Sequence, residues 1–397
     1  MKPYLKHLFL ALALTAMTAA YAGGLKPTVE TEWFVFSNDG ERSYGFLNPG
    51  TGEIRYEGMF TAAPSSIFGG VFAYLEKGGG VSVYSAADPD APQILGDLKG
   101  LRHAGISSEG MLHVLRPDSV IEVYSFTPDN AELVFTLDGK KIGFNFYERF
   151  TEGVMIVHDK KLRRGAVDKT GRMVVPFKYG DLGIMTNGQL LASDELGKPW
   201  ACFEYVLNAK GEVVYRFKNN ISPYYCIPYL CDNGYYICWG GNQRLLLVNI
   251  ADKRIYMPEE VTYMEDVFCG DYAPYANQDH KWGILKFDGE KVEIAVEAQY
   301  KGITLLPWDP TKFVCKKNDG KIVVMDLNGE ELIDFGDEWS QIVPHFTPNW
   351  KGFVANKHER KYACYDTDGN KMEFGEVSEF DSLGPKYSYS FVTAHPR

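Results

Sequence analysis

From about residue 33 onward the chain is filled by short runs in which apolar and polar residues alternate, separated by Gly, Asn and Asp turns. Alternation of this kind puts successive side chains on opposite faces of an extended backbone, so the runs predict strands, and a polar glycine turn between two of them predicts a hairpin. The pattern returns at a fixed interval. Turn glycines fall at Gly52, Gly171, Gly211, Gly289, Gly329 and Gly369, with successive steps of 119, 40, 78, 40 and 40 residues. Where a period of about 40 calls for further turns the chain has Asp90-Ala91-Pro92, Pro128-Asp129-Asn130 and Ala251-Asp252-Lys253, all turn-forming.

Nine hairpins result. The strand before each turn is read at Ser43–Leu47, Val81–Tyr84, Ile121–Tyr124, Arg164–Val167, Ala201–Tyr205, Leu246–Asn249, Trp282–Leu285, Ile322–Met325 and Tyr362–Tyr365. A second strand follows the turn, as at Met173–Val175, and another precedes the hairpin, as at Phe353–Ala355. A fourth, less regular, is expected in linking segments such as Gly302–Leu305. Four short strands repeated every 40 to 45 residues make the blade of a β-propeller. The expected fold is therefore all-β, a propeller-like array of about nine units, with an open solenoid as the alternative. Closure would have the terminal run Tyr387–Val392 pair with an edge near Trp33–Phe36; otherwise that run caps the end.

The repeat changes what the length means. A chain of 397 residues suggests two or three ordinary domains, but residues 23–397 divide into nine units of about 42 and read as one repeat domain. Residues 1–22 stand apart. Lys2 and Lys6 precede an apolar stretch from Leu8 to Ala20, and Ala20-Tyr21-Ala22 places small residues before Gly23, the pattern of a secretory signal peptide cleaved after Ala22. The expected location is periplasmic or extracellular, in a bacterium, and no transmembrane segment is expected in the mature chain. The formal charge of −11 becomes −13 without Lys2 and Lys6, which argues against nucleic acid and anionic membrane as partners.

Two units carry a fuller motif: Trp282-Gly283-Ile284-Leu285-Lys286-Phe287-Asp288-Gly289 running on to Tyr300, and Arg164-Gly165-Ala166-Val167-Asp168-Lys169-Thr170-Gly171 running through Pro176 to Tyr179. With Tyr44-Gly45, and with Trp200-Ala201 and Tyr362-Ala363 as partial forms, these resemble the WG repeats of exported bacterial proteins. The resemblance implies a β-repeat protein without established catalytic residues. Independently of it, a glycine inside a strand needs a neighbour that occupies its space, and an aromatic ring is the expected occupant, with a β-bulge as the alternative.

Chemistry is sparse. The sequence has no GxSxG, HExxH, phosphate loop or dinucleotide fingerprint, and the histidines are scattered, so no catalytic residue, metal or cofactor is assigned. Asp366-Thr367-Asp368-Gly369-Asn370 opens like a calcium loop but reads as a hairpin turn. Gly78-Gly79-Gly80 and Gly183–Asn187 read as flexible loops. Among the seven cysteines a disulfide within Cys226, Cys231 and Cys238 competes with buried thiols. The densest aromatic cluster, Tyr224, Tyr225, Tyr229, Tyr235, Tyr236 and Trp239, is the candidate binding surface for a protein or glycan partner. The functional expectation is an exported non-catalytic binding or scaffold protein. The alternatives are a glycan-active hydrolase or lyase on a propeller and an envelope structural or adhesin component.

Overall fold

In the computed structural model every described element is a β-strand. The description covers residues 33–393 except 38–42, 87–92, 96, 145–148, 184–187, 195–202, 219–220, 224–234, 241–243, 251–253, 265–268, 347–349, 358–360, 375–379 and 382–390. The strands form antiparallel sheets whose order follows the chain. A first sheet holds Phe34–Phe36, Tyr44–Leu47 and Ile54–Phe60, and a second holds Val71–Leu75, Val81–Ser85 and Gln93–Ile94. The third runs from His103–Ser107 through Met111–Leu115 and Val120–Thr127 to Asn130–Asp138. Six four-stranded sheets follow in the same meander, the fourth ending at Met173–Tyr179 and the ninth containing Lys351–Lys357 and Lys361–Tyr365.

Each sheet packs face to face on the next. The apolar residues of the middle strands supply both faces, as alternation requires of a sheet buried on two sides. Phe34, Phe36 and Leu47 of the first sheet pack on Val354, Tyr362, Cys364 and Phe374 of the ninth, with Phe34 edge-on to Trp350 at 5.9 Å. Face-to-face contact between the first and last sheets closes the array into a β-propeller, and the open solenoid does not form. Burial falls toward one edge in the sheets whose edge strands are described: His103–Ser107 is buried throughout, whereas Asn130–Asp138, Val213–Arg216 and Glu331–Asp334 are largely exposed and form the outer rim.

The terminal strand departs from expectation. Phe391–Thr393 does not pair near Trp33; Phe391 lies opposite Gly105, Val392 opposite Ala104 and Thr393 opposite His103, adding a fifth strand to the inner edge of the third sheet. Closure by sheet packing leaves the strand at Phe34–Phe36 no need of it, and the inner edge at His103 offers unpaired backbone.

All six turn glycines have left-handed backbones, with φ between 73° at Gly52 and 95° at Gly289. An Asp or Asn three residues before the glycine fixes four of the turns, at Gly171, Gly211, Gly329 and Gly369; Asn48, four residues before Gly52, and Asp288, next to Gly289, accept from turn amides in the other two. Asp366 Oδ1 accepts from the amides of Asp368 and Asn370 at 2.9 and 2.8 Å, and Asn208 Oδ1 accepts from Lys210 and Glu212 at 2.9 and 3.0 Å. Asp366-Thr367-Asp368-Gly369-Asn370 is thus the hairpin turn read from the sequence, with Asp366 as its cap. The turns also lock neighbouring units: a Cβ on Gly211 would meet Val174 O of the preceding sheet at 2.4 Å, and one on Gly369 would meet Ile333 at 2.5 Å. We expect Asp366→Ala to lower stability by about 1 kcal/mol, the usual loss of such a cap, and Asp366→Asn to be neutral because Asn48 and Asn208 do the same work elsewhere. Urea midpoints at constant m-value check this.

The glycines of the aromatic-small pairs face bulges first and rings second. Opposite Gly45 the outer strand takes six residues, Arg55 to Phe60, where the inner takes three, Tyr44 to Phe46. The carbonyls of Arg55 and Tyr56 would lie 3.0 Å from a Cβ there. Val175 to Tyr179 and Val296 to Tyr300 bulge in the same way opposite Gly165 and Gly283. At Gly283 a ring joins the bulge, Tyr275 Cε1 at 2.6 Å beside Val296 O at 2.4 Å. The expectation of ring packing alone is corrected: the bulged backbone excludes a side chain, and the aromatic contact is additional.

Candidate functional site

The aromatic segment predicted as a binding surface divides in two. Tyr224, Tyr225 and Tyr229 lie outside the described residues, as do Cys226 and Cys231. Tyr235 and Tyr236 are successive residues of the strand Tyr235–Gly240, so they point to opposite faces of the sixth sheet. Tyr235 packs toward the seventh sheet, edge-on to Phe287 at 5.0 Å. Tyr236 packs toward the fifth, its hydroxyl donating to Gln189 Oε1 at 2.7 Å. Both rings are buried, so these two are interface packing and do not form an exposed platform. The backbone of Trp239 pairs with Ser222 and Leu245.

Of the cysteines, Cys238, Cys315 and Cys364 are buried free thiols. Burial pushes the Cys315 thiol up to about 12 and those of Cys238 and Cys364 higher, so none is a nucleophile at neutral pH. Of the three cysteines weighed for a disulfide, Cys238 is therefore free, and Cys226 and Cys231 lie outside the described residues.

A cluster that sequence reading passed over lies at the inner edge of the third sheet. The short link between His103–Ser107 and Met111–Leu115 places Gly105 opposite His113 and His103 on the diagonal. The His113 ring lies across Gly105, where a Cβ would approach its Cε1 to 2.2 Å, and its Nε2 meets Nε2 of His103 at 3.3 Å. Phe144 of the neighbouring unit closes the other side, 5.1 Å from His103 and 4.9 Å from His113 by ring centres. The next sheet repeats the device with Gly143 opposite His158. The signal was present in the sequence as a histidine set against a glycine of the adjoining strand, but it is visible only once strand register is known.

Both imidazoles of the pair are buried. Burial lowers the His113 pKa to about 4, and burial together with the neighbouring His113 lowers that of His103 to about 2. At neutral pH the pair is uncharged, one ring donating and the other accepting. His345 of the ninth sheet, edge-on to Phe34, is lowered to about 3 by burial. Among the described residues no three of His, Cys, Asp and Glu come together to hold a metal. Among the described residues no helix is long and apolar enough to cross a membrane.

No protein-family model matches the chain, and no curated protein does. Among solved structures, apo AztD from Citrobacter koseri is 11% identical with a TM-score of 0.41, over 89% of this chain and 95% of that one. BamB from Moraxella catarrhalis is 10% identical with a TM-score of 0.38, over 70% and 87%. The computationally designed Ika8 protein is 13% identical with a TM-score of 0.39, over 70% and 87%.

Proposed function

We propose that this chain is an exported, non-catalytic binding or scaffold protein built from WG-like β-repeats, a closed propeller whose loops meet a protein or glycan partner. One observation carries the reading. The imidazoles and thiols whose protonation is most perturbed, His103, His113, His345, Cys238, Cys315 and Cys364, all lie between or within sheets, and burial is the first cause of each shift; burial is also the first cause for Tyr84, stacked on Phe72, with Glu76 adding to it. A catalytic acid or base is tuned by burial together with a charged partner in a cleft. Here the shifts keep packing groups neutral. The repeated placement of Tyr44-Gly45, Gly165 and Trp282-Gly283 opposite outer-strand bulges supports one ancestral unit of WG type.

Two measurements test the proposal. Protein secreted or fractionated from its host begins at Gly23, read by N-terminal sequencing; an intact Met1 in the cytoplasm removes the export half. Incubated with peptidoglycan and with neutral and acidic polysaccharides, the mature chain releases no new reducing or unsaturated ends. Reproducible turnover, abolished by a single carboxylate substitution, would replace this reading with a glycan-active enzyme.

A further inference from the structure

The hairpin that joins Val154–Asp159 to Arg164–Asp168 carries Leu162 at its tip. Its amide donates to Asp159 O at 2.9 Å, and its backbone is left-handed with φ of 62°. The same hairpin position in other units is also left-handed and holds Gly79, Ser119, His280 or Gly320, the residue types that tolerate it or small polar substitutes. Leucine is the unfavourable choice there, and it gains nothing from packing because it is 61% exposed, the most exposed large hydrophobic among the described residues. An apolar side chain held out in water on a strained tip has to be explained by what it meets.

Its surroundings reverse the charge of the protein. Ile142 pairs with Asp159, which sets the turn carrying Lys140 and Lys141 beside the hairpin residues Lys160, Lys161, Arg163 and Arg164. Three carboxylates answer these six cations: Asp138 pairs with Lys141 at 3.2 Å, Asp159 with Arg163 at 2.5 Å and Asp181 with Arg164 at 3.1 Å. The cluster is therefore +3 on a chain of −11. Lys140, Lys160 and Lys161 are exposed and make no ion pair among the described residues.

We infer that this tip is a docking point for an anionic lipid surface, with Leu162 entering the interfacial layer and the three lysines lying over the headgroup phosphates. The tip is convex and offers one apolar side chain, too little for a protein interface of ordinary size, whereas a bilayer needs no complementary shape. The unpaired cations are lysines, mobile point charges suited to a diffuse phosphate layer, while both arginines are already held by carboxylates. Net acidity excludes the chain as a whole from such a surface and so fixes which sector faces it.

The test uses the mature chain and sedimented vesicles of phosphatidylglycerol mixed with phosphatidylcholine, against phosphatidylcholine alone. Binding is expected to the anionic vesicles only, and to be lost in high salt. Lys160→Ser with Lys161→Ser weakens it roughly 30-fold, from the usual contribution of a lysine at such a surface. Leu162→Gly weakens it severalfold while the melting temperature stays or rises, since glycine relieves the left-handed strain. Wild-type protein that ignores anionic vesicles overturns the inference, including the case in which it is retained on polyglutamate, which would assign the patch to an acidic polypeptide. Variants that bind vesicles as well as wild type overturn it too.

Discussion

Gly283→Ala destabilises the protein by about 3 kcal/mol or prevents its folding, while Gly302→Ala, two residues beyond the same unit's bulge, leaves stability unchanged. The contrast follows from space alone. A Cβ at position 283 would lie 2.4 Å from Val296 O, 2.6 Å from Tyr275 Cε1 and 2.9 Å from Ala298 N. Two of these atoms are backbone on a bulged strand that already departs from ladder geometry, and the third belongs to a ring buried in the sixth-to-seventh interface. None can withdraw without moving a sheet, which places the substitution at the upper end of overpacking costs. At Gly302 no atom lies within 4 Å of the added carbon, and its φ is not left-handed. Urea unfolding of the two variants beside wild type decides the matter. Equal midpoints for Gly283→Ala and wild type would mean that the aromatic-glycine pair is not held by the bulge.

That pair also marks how far the sequence could be read. The period of 40 announced the units because each turn needs one left-handed residue and one side-chain acceptor, and both requirements are local: Gly211 and Asn208, Gly369 and Asp366. The closing contact was less legible, since Phe34 against Trp350 and Gly52 near Phe374 join residues from opposite ends of the chain, and no local rule links them. The terminal strand went to the third sheet because an inner edge stood open there, a fact that exists only after the ring has formed. Tyr235 and Tyr236 show the opposite failure. Density of tyrosine pointed to a surface, but consecutive strand residues must face opposite ways, so Tyr235 and Tyr236 each enter a different sheet interface. Leu162 was invisible for a related reason, as its exposure and its φ depend on the hairpin that carries it.

Acidification from pH 7.5 to pH 4.5 is expected to remove about 3 kcal/mol of stability for each of His103, His113 and His345, before the carboxylates contribute. An unfolded imidazole takes up its proton near its ordinary value of 6.5, whereas in the folded ring burial lowers His113 to about 4, His345 to about 3 and His103, with His113 beside it, to about 2. Between those values the unfolded chain binds more protons than the folded one, so stability falls as pH drops below 6.5. Two pH units at about 1.4 kcal/mol each give the figure. The turn carboxylates act later. Desolvation raises Asp366, but hydrogen bonds from the Asn370 side chain and from the turn amides outweigh it and hold the group below the usual carboxylate range. Its contribution is present above the unfolded pKa and is lost only as pH falls through the lower folded one. Urea midpoints across this range therefore show a first decline owed to histidine and a second, more acidic one owed to the caps. His345→Leu separates them. Its Nδ1 has no hydrogen-bond partner among the described residues, so leucine keeps neutral-pH stability while flattening the first decline by about a third, one titrating group of three. A wild-type protein equally stable at pH 7.5 and 4.5 would mean that these imidazoles are already charged or reached by water, and that the inner edge of the third sheet is not closed.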